Sequence, residues 1–546
     1  LMVLRKGLFW HYLEPCNLRP IVKEEYKEPC SRLYIRDKKT LLFEVTYYKK
    51  RINFEVFHVL TDGTGATEFL KELVKNYLYF AHKEEGLEQV ALLPEDMTVQ
   101  DQEDDSFLKY YSKDQKRPKK RKLNAFQIRR KKKDGNHLHV HESVVSVQAV
   151  LKRSRELGVS MTIFLTALFM MAINEEMSKM QKKKPVVLMV PVNLRKFFPS
   201  SSMLNFFNWI EPGYNFTTQD QSFEAVLKYT KEFFETELTK EKMSAHISEL
   251  LALELHPILR LAPLELKNLC IQAGAKYSEK NTTAIFSNMS AVKMPASYVP
   301  YIERFGVYTN TPKLELCLCS FQDKLSFAFT SRYDTVNIER NFYRLLKEQG
   351  ITSEKVKPEF PKTGKPSEQE MKVYKIYSFL CIAIVAAMLV TDLNFHPRIR
   401  WTLFTAGGVV TMWIASSIGF FKRYNLLKNA MWQLIIGTII CFIWDALTGW
   451  HSWSVDLVLP IMSVSTLAAM FVTAKVQKSP VREYLIYEIM AAGYGLILPV
   501  ILLLCGVVKN PTVSMFGALT CFLFLVAVIL FKGREFKEEM QKNLHV

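Results

Sequence analysis

The residues with the clearest capacity for chemistry are His58, Asp62 and Gly63, which form the pattern H-x-x-x-D-G. Histidine takes a proton from an alcohol or amine near neutral pH and returns it to a leaving thiolate, because the ordinary pKa of imidazole is about 6.5. A carboxylate at Asp62 is better suited to orienting the backbone through an arginine than to touching substrate, and Gly63 leaves space beside the imidazole. The pattern predicts a general base at His58. The alternative is a core histidine satisfied by its neighbours.

Two other patterns suggest a metal site or paired thiols. His137, His139 and His141 alternate and so share one strand face, but no carboxylate or cysteine stands at ligand spacing beside them. Cys317 and Cys319 also share a face, and we interpret them as packing residues. No metal and no permanently bound cofactor is therefore predicted.

The histidine motif lies between a predicted hairpin and a predicted helix. Two β-rich runs, LLFEVTYY and INFEVFHVL, are separated by the polar break Lys49-Lys50-Arg51, and apolar residues recur at helical spacing after Gly65. The order is strand, glycine turn, helix, with His58 at the end of the strand.

The following 300 residues mix strands and helices. Strands are predicted over 138–145, 185–192, 284–288, 304–309, 314–321 and 325–333. Helices are predicted over 147–157, 160–178, 223–239, 244–255 and 338–349, with Ser160 as a helix cap. The pattern indicates a mixed α/β (α+β) unit made of two strand–helix halves.

The carboxyl-terminal third has a different composition, with six apolar runs that are each about the length needed to cross hydrocarbon as a helix. The runs are 376–393, 401–421, 431–450, 456–474, 485–508 and 512–531. Basic residues concentrate in alternate loops and after the last run, for example at Lys475 and Lys532, which predicts that both chain ends are cytoplasmic. Asp445 and His451 lie at the third outer turn, where they serve either as part of an interfacial anchor or as contacts to an acceptor or lipid head group.

These features define the expected domain order. We predict an amino-terminal subdomain over 1–115, a basic crossover over 116–136, a second subdomain over 137–350, a linker over 351–373, a six-helix transmembrane domain over 374–534, and a cytoplasmic tail over 535–546.

The net charge of +18 points to a membrane surface rather than to nucleic acid, because the basic excess lies in the crossover and beside the apolar runs. Eleven of the eighteen residues 116–133 are Lys or Arg; they face either anionic lipid or the phosphates of a coenzyme A or carrier-protein arm. The nine cysteines lack metal-type spacing, which favours a reducing, cytoplasmic setting.

The H-x-x-x-D-G pattern is the shared signature of the chloramphenicol acetyltransferase-like superfamily, which includes condensation domains, BAHD acyltransferases and alcohol acetyltransferases. The segment FHVLTDGTGATEFLKELVKNYL most resembles the bacterial alcohol acetyltransferase branch. VPVNLRKFF (190–198), NFFN (205–208), IFSNMS (285–290) and FTSRYD (329–334) resemble further family elements in the same order. The resemblance covers about residues 1–350, and a six-helix carboxyl-terminal region is similar to that of uncharacterised bacterial membrane proteins.

The resemblance implies a two-subdomain chloramphenicol acetyltransferase-like fold with His58 in a channel between the halves. It also implies direct acyl transfer from an acyl thioester, either acyl-coenzyme A or an acyl-phosphopantetheine carrier, to a hydroxylated acceptor, lipidic or otherwise. Ser287 and Asn288 are the oxyanion candidates, and Arg5 and Arg195 are the candidate partners of Asp62. A strand and a helix are expected before Leu1.

The sequence departs from the family in three ways. The D-F-G-W-G element of the BAHD branch is absent, Phe57 replaces the second histidine common in condensation domains, and Ser290 stands where glycine is usual. Carrier-protein condensation is thereby disfavoured. It stays open as an alternative, together with a non-catalytic membrane protein that has kept the fold.

Overall fold

The structure, a computed structural model, describes residues 1–7, 9–35, 39–92, 104–112, 124–128, 138–333, 335–356, 358–360, 366–395, 401–421, 425–476 and 481–544. It divides into two compact units. The first comprises Leu1–Leu4, Leu13–Tyr34 and Leu41–Thr363, and the second comprises Arg5–Tyr12, Ile35–Thr40 and Gly364–Val546. The division at Gly364 falls inside the predicted linker.

The strands are β1 (Met2–Lys6), β2 (His11–Pro15), β3 (Lys23–Glu24), β4 (Phe43–Tyr48), β5 (Arg51–Val56), β6 (His139–Ser146), β7 (Val186–Asn193), β8 (Phe207–Ile210), β9 (Gly213–Tyr214), β10 (Ala284–Ala291), β11 (Glu315–Phe321), β12 (Lys324–Ser331) and β13 (Glu354–Val356). The α-helices of the first unit are α1 (Gly63–Ala81), α2 (Ser106–Lys109), α3 (Val147–Glu156), α4 (Met161–Glu175), α5 (Phe223–Glu237), α6 (Lys240–Glu254), α7 (Pro257–Leu261), α8 (Leu264–Ser278) and α9 (Asn337–Glu348). The first unit is thus mixed α and β, as predicted.

An eight-stranded sheet forms the centre of the first unit, in the order β13-β6-β12-β11-β10-β7-β8 with β9 also paired to β7. β10 runs parallel to β7 and to β11. One face of this sheet packs on the buried helix α4, whose Phe169 contacts Phe286 and Phe329. Side chains alternate along a strand, so Ser287, paired in register with Cys317, faces away from α4.

The predicted hairpin before the histidine motif is confirmed. β4 and β5 pair antiparallel from Phe43 with Val56 to Tyr48 with Arg51, and Lys49 takes a left-handed conformation in the turn, with φ of 52°. α1 follows the motif. Ser160 also caps α4 as expected, because its hydroxyl accepts a hydrogen bond from the Ile163 N–H at 3.3 Å.

Not every predicted element is present. The strand expected over 304–309 is wrong: this segment joins no sheet, and the Ser326 hydroxyl donates a hydrogen bond to its Phe305 carbonyl. Helices α7 and α8 and the short strands β8 and β9 were not predicted. Of the basic crossover, only 124–128 lies within the described residues, and there Ala125 and Phe126 are buried.

The second unit is helical. Its helices are α10 (Pro366–Phe395), α11 (Trp401–Phe421), α12 (Leu426–Leu447), α13 (Leu459–Val476), α14 (Val481–Leu504) and α15 (Pro511–Leu544). Among the described residues, five segments are long and apolar enough to cross a membrane: Lys372–Asn394, Leu426–Leu447, Ser454–Val476, Tyr484–Leu504 and Pro511–Gly533. The described apolar part of α11, Thr405–Phe420, is shorter. These helices indicate a membrane protein, and the sixth span stays a prediction.

Candidate active site

The histidine motif forms a tight turn between β5 and α1. The Phe57 N–H donates to the Leu42 carbonyl at 2.7 Å, which ends the hairpin, and the Leu60 N–H returns to the Phe57 carbonyl at 3.0 Å. The side chain of His58 is exposed in this turn, with its ring 5.2 Å from the ring of Phe207. The local chain path therefore leaves the imidazole accessible to a substrate.

Asp62 is buried, with 4% of its surface exposed, and its hydrogen bonds hold this turn together. Its Oδ1 accepts hydrogen bonds from the N–H groups of Thr64 (3.0 Å) and Gly65 (3.1 Å), which makes Asp62 the N-cap of α1. Its Oδ2 accepts from Arg195 Nη1 at 2.6 Å and from the Phe206 N–H at 2.9 Å. The carboxylate is occupied by these partners, so it orients the backbone and does not contact the imidazole.

Arg195 is the arginine that lies against Asp62, and it also holds the loop 202–206 in place. Its Nη2 donates to the carbonyls of Ser202 and Leu204, both at 2.7 Å, and its Nε donates to Ser202 at 3.1 Å. A planar guanidinium with five donors is the side chain that can serve a carboxylate and several carbonyls at once. Arg5, the other candidate, lies on β1.

Asn205, in the loop held by Arg195, makes two hydrogen bonds to His58. Its Nδ2 donates to the His58 carbonyl at 2.8 Å, and its Oδ1 lies 2.9 Å from Nδ1 of the imidazole. A carbonyl only accepts, so the amide nitrogen must face it and the amide oxygen must face Nδ1. Nδ1 therefore carries a proton, and in the neutral ring the lone pair lies on Nε2, where a general base needs it.

Two glycines of the turn lie where no side chain fits. A Cβ on Gly63 would stand 2.1 Å from Cε of Met289, a flexible side chain on β10. A Cβ on Gly65 would stand 2.4 Å from the Met203 carbonyl oxygen and 2.1 Å from Oγ1 of Thr61. Met289 thus places the end of β10 beside the histidine motif.

The two oxyanion candidates lie on β10 in different settings. The Asn288 amide donates to Thr162 Oγ1 at 3.0 Å, and its oxygen accepts the Ser290 N–H at 2.9 Å. Ser287 faces away from α4, on the same side as Met289, and its hydroxyl has no hydrogen-bond partner among the described residues. Ser290 has φ of 65°, which explains why the family places glycine there. Ser287 is therefore the better-placed donor.

The chain can now be compared with known proteins. The model of the alcohol acetyltransferase family matches residues 21–253, which include the whole histidine turn, Arg195 and Asn205. The chain is thus an acyltransferase, and the matched region is followed by residues 360–546, which match a family of unknown function, DUF6320. No curated protein matches the chain significantly.

Three solved structures are similar at low level. The epimerization domain from the third module of tyrocidine synthetase B is 12% identical, covers 64% of this chain and 84% of its own, and has a TM-score of 0.38. The wax ester synthase/diacylglycerol acyltransferase from Marinobacter aquaeolei VT8 is 13% identical, with 64% of this chain and 85% of that chain covered and a TM-score of 0.36. Trichothecene 15-O-acetyltransferase from Fusarium sporotrichioides is 11% identical, with 57% of this chain and 70% of that chain covered and a TM-score of 0.35. Similarity at this level does not bear on the substrate.

One residue of the candidate site was missed by sequence reasoning. Asn205 was noted only as part of the NFFN segment, and no local pattern showed that it reaches a residue 147 positions earlier. Glu315, at the start of β11, is a buried titratable residue that was also not singled out, and Cys317 Sγ donates to its Oε1 at 3.4 Å. Burial raises the pKa of Glu315, and hydrogen bonds from Thr309, Cys317 and Thr311 offset part of this rise. A glutamate inside a β-rich run was the available signal for Glu315.

The described members of the alternating histidine set lie on β6. These are His139 and His141, and His137 lies outside the described residues. Nε2 of His141 is 3.9 Å from Oε2 of Glu339 on α9, a carboxylate that the sequence spacing did not reveal. Burial lowers the pKa of His141 and raises that of Glu339 to about 8. Cys317 and Cys319 are buried, in line with a packing role.

Asp445 in the second unit forms a turn rather than a ligand contact. It is fully buried, and its oxygens accept hydrogen bonds from the His451 N–H at 2.7 Å and from the N–H and hydroxyl of Ser454 at 3.1 and 2.8 Å. The interpretation of Asp445 as a head-group contact is therefore wrong, because every acceptor position of its carboxylate is directed into the turn. The side chain of His451 is exposed.

Proposed function

We propose that the chain is a membrane-anchored alcohol acyltransferase that moves an acyl or acetyl group from acyl-coenzyme A to a hydroxylated acceptor, with His58 as general base. One observation carries this proposal: Asn205 Oδ1 lies 2.9 Å from Nδ1 of His58 while Asn205 Nδ2 lies 2.8 Å from the His58 carbonyl. This pair of contacts supports the neutral tautomer with its lone pair on Nε2 of an exposed imidazole, which is the form that can accept a proton.

In the proposed step, Nε2 of His58 accepts the proton of the acceptor hydroxyl as its oxygen bonds to the thioester carbonyl carbon. The tetrahedral intermediate then expels the thiolate, the carbon–sulfur bond breaks, and Nε2 returns the proton to sulfur. No acyl group is bound to the protein. The Ser287 hydroxyl is the proposed donor to the oxyanion, a contribution of about 3 kcal/mol.

The membrane location and orientation are also proposals. The five long apolar helices support anchoring in a bilayer, and the basic residues of alternate loops favour a cytoplasmic acetyltransferase domain in the cell membrane. An acceptor of lipidic character fits this location. Single cysteines at His451 and Lys475, two exposed positions, test the orientation: a membrane-impermeant reagent should label intact cells at 451 and not at 475. Labelling at 475 alone would reverse the proposed topology.

The central experiment follows thiol release from a panel of acyl-coenzyme A donors, with and without alcohols, using the purified full chain. His58→Ala should lower the rate at least about a hundredfold. His82→Ala is the matched control, because His82 lies outside the motif at the end of α1 and pairs with Glu85 at 2.9 Å. An unchanged rate in His58→Ala would refute the proposed base. Activity only with acyl-phosphopantetheine carriers would move the function to condensation, and no thiol release from any donor would favour a non-catalytic role.

A further inference from the structure

Helix α8 carries an apolar stripe that points away from the protein. Leu266, Leu269, Cys270, Ala273 and Tyr277 follow the spacing that places residues on one helix face. All five are exposed; the exposed fractions are 54% for Leu266, 65% for Leu269 and 70% for Tyr277. The preceding helix α7 also exposes a large apolar side chain, Leu261, at 75%.

One lysine of α8 is buried. Lys267 is only 4% exposed, and its Nζ donates to the Arg260 carbonyl at 3.2 Å. Leu264, one turn earlier, is also buried. An ordinary surface helix turns its leucines inward. In α8 only the first turn does so, and Leu266 and Leu269 are exposed, so the outer face is suited to an apolar surrounding.

From Leu269 to Ser278, every residue of α8 is exposed, so no described part of the chain covers this end of the helix. An isolated helix of this length is marginal in water. A stripe of large apolar side chains also gains free energy when it leaves water. The stripe therefore calls for a partner outside the described protein.

We propose that the outer face of α7 and α8, which we call the α8 stripe, docks on the surface of a lipid bilayer that contains anionic lipid. The chain provides its own access to a bilayer, because five of its helices are long and apolar enough to span one. The charge around the stripe fits as well: three exposed basic residues, Arg260, Lys276 and Lys280, and two exposed acidic ones lie between 256 and 281. The helix thus lies in the interface plane, with leucines toward the acyl chains.

The test uses the full chain in nanodiscs of phosphatidylcholine and phosphatidylglycerol that contain a phospholipid with a diazirine on its acyl chain. After illumination, peptides that carry lipid are identified by mass spectrometry. We expect lipid on peptides from 257–278 as well as on the spanning helices. Lipid on the spanning helices alone would overturn the proposal, and so would cross-links from 257–278 to a second copy of the chain in place of lipid.

A triple variant, Leu266→Ser, Leu269→Ser and Tyr277→Ser, tests the stripe directly. These side chains are exposed, so the melting temperature should stay within about 2 °C of the parent protein. Lipid cross-linking at 257–278 should fall at least about fivefold, and Cys270 should react faster with a water-soluble maleimide in the nanodisc. Met180→Ser, at a residue 74% exposed in a different loop, is the matched control and should change neither. Unchanged lipid cross-linking at 257–278 in a folded triple variant would refute the proposal.

Discussion

Arg195 and Asp62, which are 133 residues apart in the chain, form an ion pair at 2.6 Å that the loop 202–206 surrounds. Arg195→Lys keeps the charge but loses the planar set of donors that serves Asp62 and the carbonyls of Ser202 and Leu204 together. We expect a loss of about 2–4 kcal/mol in the free energy of unfolding and a rate of thiol release lowered at least about tenfold. Thermal unfolding and the thiol assay measure both. The exposed neighbour Lys196, changed to Ala, should match the parent protein in both.

Replacing Asn205 tests the hydrogen bond that fixes the imidazole. Asn205→Ala removes both contacts to His58, and we expect the rate to fall about tenfold to a hundredfold without a matching rise in KM, because the ring loses its orientation. Asn205→Asp places a carboxylate beside Nδ1–H and stabilises the protonated ring, so the acidic limb of the pH–rate profile should move to higher pH. Ser201→Ala, an exposed change in the same loop, should leave the profile in place. An unchanged pH–rate profile in Asn205→Asp would show that Asn205 does not act on the catalytic imidazole.

The two glycines of the motif turn should differ in their response to a methyl group. Gly63→Ala meets Cε of Met289, which is the movable end of a side chain, so we expect a cost of about 1–2 kcal/mol that Met289→Ala relieves. Gly65→Ala meets the Met203 carbonyl, which cannot yield, so the cost should be larger and Met289→Ala should not relieve it. Melting temperatures of the three single variants and of the two double variants with Met289→Ala give the coupling. Equal rescue of both glycines would contradict the packing described for this turn.

Replacing the two oxyanion candidates should have different effects, one on kcat and the other on the melting temperature. Ser287→Ala should lower kcat about tenfold to a hundredfold with little effect on melting, because the hydroxyl serves no other described group. Asn288→Ala should lower the melting temperature first, because its amide joins β10 to Thr162 and holds Ser290 in a left-handed conformation. Steady-state kinetics and thermal unfolding of each variant distinguish them. A Ser287→Ala variant with unchanged kcat would assign the oxyanion to another donor.

The raised pKa of Glu339 predicts that the first unit becomes less stable as the pH rises. Burial raises its pKa from 4.5 to about 8, so the folded protein holds a proton that the unfolded chain has released. Stability from this group is therefore complete below about pH 4.5 and is lost as the pH rises through about 8. The melting temperature should fall between pH 6 and pH 9 more steeply in the parent protein than in Glu339→Gln. Glu354→Gln, at an exposed position, should keep the parent slope.

Sequence reasoning succeeded where a local pattern sets the structure. The hairpin β4–β5, the cap at Ser160 and the position of the histidine turn each depend on neighbouring residues. The ion pair of Asp62 with Arg195 was narrowed to two arginines only through the resemblance to a family. The role of Asn205 was not predictable, because it depends on the path of a loop that Arg195 shapes.

The errors also have physical causes. The segment 304–309 has a β-type composition, but a strand needs a partner with free ladder groups, and this segment is held by side-chain contacts instead. Helix α8 was missed because Leu266 and Leu269 face outward and Lys267 faces inward. Periodicity indicates a face without saying what lies beside it.

The bond between Asn205 and His58 also has a consequence during synthesis. A nascent chain that has emerged only as far as α1 already holds the histidine, but the amide that selects its tautomer arrives 147 residues later. Until that loop has docked, the ring lacks the Asn205 amide that fixes its orientation. The imidazole is therefore positioned only after segments 147 residues apart in the chain have folded together.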